Sequence, residues 1–139
     1  MSDGEEYWRV EVLGVGHQNG QPVVLLQDER ERKLPIVIGP CEAVAIHQRL
    51  TEGFEPPRPL AQDLALNLYR RLGAVLTQLR IDSLFNTIYY SKLEFEQEGR
   101  TVELDCRPSD GIALALAAGV PIFVAESVMS EEDSGAPGA

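Results

Sequence analysis

One stretch of this chain that is apolar on every side constrains its fold most. From about Ser109 to Ala118 a helical period would bring Ile112, Ala113, Leu114, Ala115, Leu116 and Ala117 around the whole circumference of one helix. A helix without a polar face has to be buried all round, either inside its own domain or against another copy of the chain. Pro108 and Gly119 bound the stretch in the order that helix ends favour, Pro in the first turn and Gly beyond the last. With 139 residues the chain has room for one domain to build around such a helix.

The remaining elements follow from local pattern. Trp8, Val10 and Val12 alternate with Arg9 and Glu11, as in a half-buried strand. Val23 to Leu26 and Leu34 to Ile38 supply two more strands around a charged tip at Asp28 to Arg32, and Pro35 favours an edge position for the last of them. After Gly39 and Pro40 a helix carries Ala43, Ile46 and Leu50. A rigid Pro-rich loop, residues 53–59, leads into a second helix from about Leu60 to Leu72, with Leu60, Leu64, Leu68 and Leu72 one turn apart and Gly73 as its left-handed cap. Val75 to Ile81 reads as a strand that Asp82 to Thr87 interrupts, and Ile88 to Phe95 and Thr101 to Cys106 as a hairpin around Glu98-Gly99. Tyr89 and Phe95 are expected in the core. Pro121 to Ala125 is a last short strand, and the acidic tail from 130 is expected to be disordered. Hairpins interrupted by helices predict an α+β fold, a largely antiparallel or mixed sheet with about three helices in a single domain.

Charge narrows the function classes. The formal charge is −10, from 12 Lys and Arg against 22 Asp and Glu, which excludes a basic module that binds nucleic acid by electrostatics alone. Eight of the 22 acids lie in residues 1–11 and 126–139, so the body between them is nearly balanced. Cys41 and Cys106 stand apart without a Cys/His cluster, which predicts free, buried thiols and no zinc site. No charged-then-apolar leader and no apolar run of membrane length are present, so a soluble cytoplasmic protein with no membrane partner is expected.

Chemistry concentrates between Thr101 and Val124. Along the strand Thr101, Glu103 and Asp105 share one face, and Arg107-Pro108-Ser109-Asp110 follows at the mouth of the apolar helix. Ser109 can cap that helix or mark an anion site. Carboxylates, an Arg and a helix N-terminus together can hold a divalent cation with a phosphate opposite. They can equally form an ion pair of Asp105 with Arg107 beside a capped helix. Arg58-Pro59-Leu60-Ala61-Gln62-Asp63 echoes the order Arg, Pro, Asp before the second helix. His17 sits in a Gly/Asn-rich turn, and His47 lies about 140° around its helix from Glu42, so neither builds a same-face metal pair.

Leu34-Pro35-Ile36-Val37-Ile38-Gly39, then Glu42-Ala43-Val44-Ala45-Ile46, Arg58-Pro59-Leu60 with Asp63, and above all Arg107-Pro108-Ser109-Asp110-Gly111-Ile112-Ala113 with Val120-Pro121-Ile122-Phe123-Val124 resemble the bifunctional nuclease domain family. The likeness runs over roughly residues 8–128, between an acidic extension at 1–7 and an acidic tail at 129–139. It implies an α+β fold, self-association, and an activity on DNA and RNA that is ascribed to some members. Members often carry His where this chain has Gln62. The expectation is a nuclease in which Asp105 and Asp110, with Asp63 and Glu103, hold Mg²⁺ or Mn²⁺, hard cations suited to oxygen ligands. Arg107 and Arg58 would face the phosphate, DNA or RNA would be the partner, and no organic cofactor is needed. The rival expectation is a non-catalytic homo-oligomeric module that binds a protein or ligand.

Overall fold

The computed structural model describes residues 5–133. Seven strands form one mixed sheet in the order β3-β2-β1-β7-β4-β5-β6. Strands β1 (Tyr7–Gln18), β2 (Gln21–Asp28) and β3 (Lys33–Val37) make an antiparallel meander. Helices α1 (Pro40–Leu50) and α2 (Ala61–Arg71) follow, and then β4 (Ala74–Phe85), β5 (Ile88–Gln97) and β6 (Arg100–Cys106) make a second meander. Helix α3 (Pro108–Ala118) returns the chain to β7 (Ile122–Ala125), which enters between the meanders, antiparallel to β1 and parallel to β4. A short helix, α4 (Glu126–Asp133), ends the described chain. Pro35 lies on the sheet edge, where its missing N–H is not needed.

The apolar helix is central because its own domain surrounds it. Helix α3 packs against α1, α2, β4 and β5, and Ile112, Ala113 and Ala115 are buried in the core with Ile46 of α1, Leu66 of α2 and Leu79, Ile81, Leu93 and Phe95 of the sheet. Gly111 allows this approach. A Cβ at that position would stand 2.5 Å from Leu79 Cδ1 and 3.1 Å from Cys106 Sγ, so the first turn of α3 lies directly on the sheet. Tyr69 meets Phe95 edge to face at 4.7 Å.

Three expectations need correction, and the leucine row of α2, whose direction the sequence leaves open, is placed. Asp82 to Thr87 does not interrupt the strand: β4 runs on to Phe85, with register shifts at Leu76/Gln78 and Ile81/Ser83, and Asn86-Thr87 makes a tight turn with φ of 51° and 66°. The bulges break strict alternation, so periodicity misplaces the strand end. The leucine row of α2 does not face the core. Leu64, Leu68 and Leu72 are 64%, 60% and 68% exposed, while Leu66 is the buried leucine. Cys41 is an exposed thiol, and only Cys106 is partly covered. Residues 130–133 are helical, with Val128 and Met129 of the same helix in the core; residues 134–139 lie outside the described ones.

Helix α4 is locked by a charged corner. Glu126 accepts from Trp8 Nε1 at 2.6 Å and from both terminal nitrogens of Arg32 at 2.9 and 3.1 Å, and Arg32 Nε donates to buried Asp28 at 2.9 Å. Bonding to Arg32, then to Ser130, holds the Glu126 carboxyl at about 2. Tyr7, placed with the acidic extension by sequence, opens β1 opposite Ala125. Among the described residues no helix is long and apolar enough to cross a membrane.

Candidate active site

The strand pleat divides the charged residues between two places. On β6 Cys106 points under α3, where Ser91 Oγ lies 3.5 Å from its sulfur and burial pushes the thiol up. Glu103 and Asp105, three and one residues earlier in the opposite phase, belong to the sheet face that α3 does not cover. The register confirms the division: Asp105 stands opposite Lys92 and Glu103 opposite Glu94, whereas Leu104 stands opposite core residue Leu93.

On the far face buried Arg80 gathers the acids. Its Nε donates to Asp82 at 3.3 Å, Nη1 to Glu94 at 2.9 Å and Nη2 to Glu103 at 2.5 Å. Tyr7 hydroxyl donates to Asp82 at 2.7 Å. The Arg80 bond holds the Glu103 carboxyl below its ordinary range. Each of the three nitrogens of Arg80 therefore has a carboxylate partner.

At the mouth of α3 the arrangement is open. Arg107 occupies the cap position in extended conformation and Asp110 the third helical position. Arg107 Nε donates to Asp110 at 2.8 Å and Nη2 at 3.1 Å, a bidentate pair, while Nη1 lies 3.8 Å from Glu42 Oε1 of α1. The Arg107 side chain is 67% exposed, and bonding to Asp110 raises its pKa. Glu42 owes its place to Gly39: a Cβ there would collide with the Glu42 carboxylate. Beside the pair a cleft of about 170 Å³ runs between α2 and α3, lined by Ala61, Gln62, Ala65, Asp110, Ala113 and Leu114.

The structure thus brings Arg107 and Asp110 together and sets Asp105 and Glu103 elsewhere. Arg107 pairs with Asp110 and not with Asp105. Asp63 is also engaged, accepting from Leu60 N–H at 2.9 Å and Arg49 Nη2 at 2.6 Å. Burial pushes that carboxyl up, but the two donors outweigh it and leave it below its ordinary range. Arg58 is exposed in the loop before α2. Ser109 is buried in the first turn and makes no side-chain cap. The echo between the two helix starts is one of order only: Asp63 and Asp110 are both third helical residues, yet Pro108 lies inside its helix and Pro59 outside.

These positions do not fit the expected cation. Among the described residues no three His, Cys, Asp or Glu side chains converge as metal ligands. Glu103 is committed to Arg80 and Asp63 to Arg49, while Asp105 and Asp110 belong to opposite sides of β6. Glu42 and Gln62, which the sequence marks only as part of the family-like segments, are not among the expected site residues, because they reach this site only through helix packing. Glu42 in the first turn after Gly39-Pro40 was the available signal.

A family model described as the bifunctional nuclease domain matches residues 23–136. Two strains of Mycobacterium tuberculosis each carry an uncharacterized protein 42% identical over 124 residues, spanning 88% of this chain and 73% of the relative. Bifunctional nuclease 1 of Oryza sativa subsp. indica is 29% identical over 105 residues, 73% of this chain but 31% of the rice protein.

Proposed function

The chain belongs to the bifunctional nuclease domain family, and from that premise we propose that it hydrolyses phosphodiester bonds of DNA or RNA at the mouth of α3. The observation that carries the reading is the exposed Arg107, fixed by the bidentate Asp110 at a helix N-terminus. A guanidinium with its Nη1 edge facing solvent and Glu42 binds phosphoryl oxygens, and the adjoining helix N-terminus adds to the positive field. As charge builds on the phosphate in the transition state, an arginine already held in place stabilises it without reorganising. Glu42, 3.8 Å from the same guanidinium, is the carboxylate placed to take a proton from an attacking water.

No step of this scheme passes through Asp105 or Glu103. The test is cleavage of single-stranded DNA and of RNA by purified protein with chelator, with Mg²⁺ and with Mn²⁺, beside Arg107→Ala prepared identically. Loss of cleavage in the variant supports the reading. Equal cleavage by both, as a contaminant would give, refutes it.

A second reading, self-association, has its own observation in the exposed Leu64, Leu68 and Leu72 row of α2. Burying such a row against a second copy would remove it from water. Sedimentation at micromolar concentration tests this: Leu68→Glu should turn an oligomer into a monomer, and a monomeric wild type ends the idea.

A further inference from the structure

Resting on the nuclease reading above, we propose that the cleft between α2 and α3 is a subsite for one unstacked nucleobase, with the Gln62 amide reading its edge. The cleft has flat apolar walls because Ala61 and Ala65, one turn apart on α2, face Ala113 and Leu114 of α3. Short methyl groups keep the helices' side chains apart and leave a slot. At about 170 Å³ it is smaller than the roughly 300–1,000 Å³ of a site for a drug-sized ligand, and suits a single ring system.

The polar groups of the slot say what kind of ring. Gln62 Oε1 is buried and has no hydrogen-bond donor. An acceptor left in that condition is destabilising, and a ligand N–H that it can turn towards removes the cost. Asp110 lines the same slot, but both its oxygens accept from Arg107. Asp110 therefore joins the slot to the guanidinium that holds the phosphate. A ligand that fills both is planar with apolar faces, carries an N–H edge and is joined to an anion. A nucleotide meets all three conditions, since adenine, cytosine and guanine carry amino N–H groups and uracil and thymine carry N3–H, and enzymes that act on nucleic acid commonly take a base out of the stack and hold it by edge bonds and face contacts.

The experiment reads binding without cleavage. Isotope-labelled full chain is titrated with adenosine 5′-monophosphate, uridine 5′-monophosphate and ribose 5-phosphate, and amide shifts are followed by NMR. Adenosine monophosphate should move the signals of residues 61–65 and 110–114 and bind at least about fivefold more tightly than ribose 5-phosphate, one edge hydrogen bond's worth. Gln62→Leu should remove that advantage for both nucleotides. Ala61→Leu, on an exposed position, should block the slot while leaving the fold intact, and Ala65→Leu should do the same from the next turn. Equal binding of adenosine monophosphate and ribose 5-phosphate, or binding indifferent to the plugs, overturns the proposal. So does a plug that changes the sedimentation coefficient and not nucleotide binding, since the cleft then serves a second copy. A chain that cuts through Arg107 yet shows no slot sinks this inference alone. One that fills the slot and cuts nothing sinks the nuclease reading alone.

Discussion

Arg80 and Arg107 are both arginines held by carboxylates, and they do opposite work. Arg80 lies on the helix-free face of the sheet with its side chain 6% exposed and three acids, Asp82, Glu94 and Glu103, around it. Arg107 projects from the mouth of α3 at 67% exposure with one bidentate partner and a second acid 3.8 Å away. The buried cation has a carboxylate on each of its three nitrogens and joins β4, β5 and β6 to the start of β1 through Tyr7. The exposed one is oriented but not saturated. Saturation, more than the presence of an Arg and an Asp, separates a structural ion-pair network from a site that can receive a phosphate.

Breaking the buried side should cost the most. Arg80→Met leaves three carboxylates without the guanidinium that bonds each of them, with Lys92 the cation remaining nearby, and a loss of about 3–5 kcal/mol in chemical unfolding is expected. Activity per folded molecule should not change. If Arg80→Met is as stable as wild type, the cluster is not structural and the comparison collapses.

The exposed side should answer in the other currency. Arg107→Ala should leave the unfolding midpoint in place and lower kcat by about a hundredfold, the usual cost of one transition-state donor. Arg107→Lys should recover little, because a point charge cannot make the bidentate pair with Asp110 while facing a phosphate. A variant that loses stability and cleavage together would make Arg107 a second structural arginine.

Gly111 links the two faces, since it seats the mouth of α3 on Leu79 and Cys106. Gly111→Ala should cost about 1–3 kcal/mol by overpacking and should also weaken cleavage, because lifting the first turn moves Arg107 and Asp110. Thermal unfolding and steady-state kinetics on one preparation check both. Full activity in a destabilised Gly111→Ala would show that the site tolerates movement of its own platform.

The two regions were not equally legible in the sequence. Arg107 and Asp110 are three residues apart around a helix start, so their meeting follows from local geometry, as does the buried helix behind them. Arg80 sits 23 positions from Glu103 and meets it through an intervening strand, so only the sheet order brings them together, although alternation alone puts Asp82 on the face of Arg80. The same pleat that joins Glu103 to Arg80 separates Asp105 from Asp110, which proximity in sequence alone suggests should coordinate one ion. Helix α4 escaped notice because Val128 and Met129 are its only large apolar residues, and its acids resemble a solvated tail. The leucine row on α2 misleads in the other direction: regular spacing identifies a face but not which way the face points.

The smallest expected effect is a pH dependence confined to the buried cluster. Arg80 holds the Glu103 carboxyl below its ordinary value, against a modest opposing push from burial. A carboxyl whose pKa is lower folded than unfolded binds fewer protons in the native state, so its contribution is complete above the unfolded value, about 4.3, and fades as the pH falls below it. Glu103→Gln should therefore be less stable than wild type at pH 7, and the gap should narrow steadily below about pH 4.3. Because Glu103 is 39% exposed, screening keeps the gap small, and molar salt should narrow it further at neutral pH. Urea midpoints of the two proteins from pH 7 to pH 3 provide the measurement. A gap that stays constant over that range would mean that Glu103 acts through packing of its stem, leaving Asp82 and Glu94 as the electrostatic partners of Arg80.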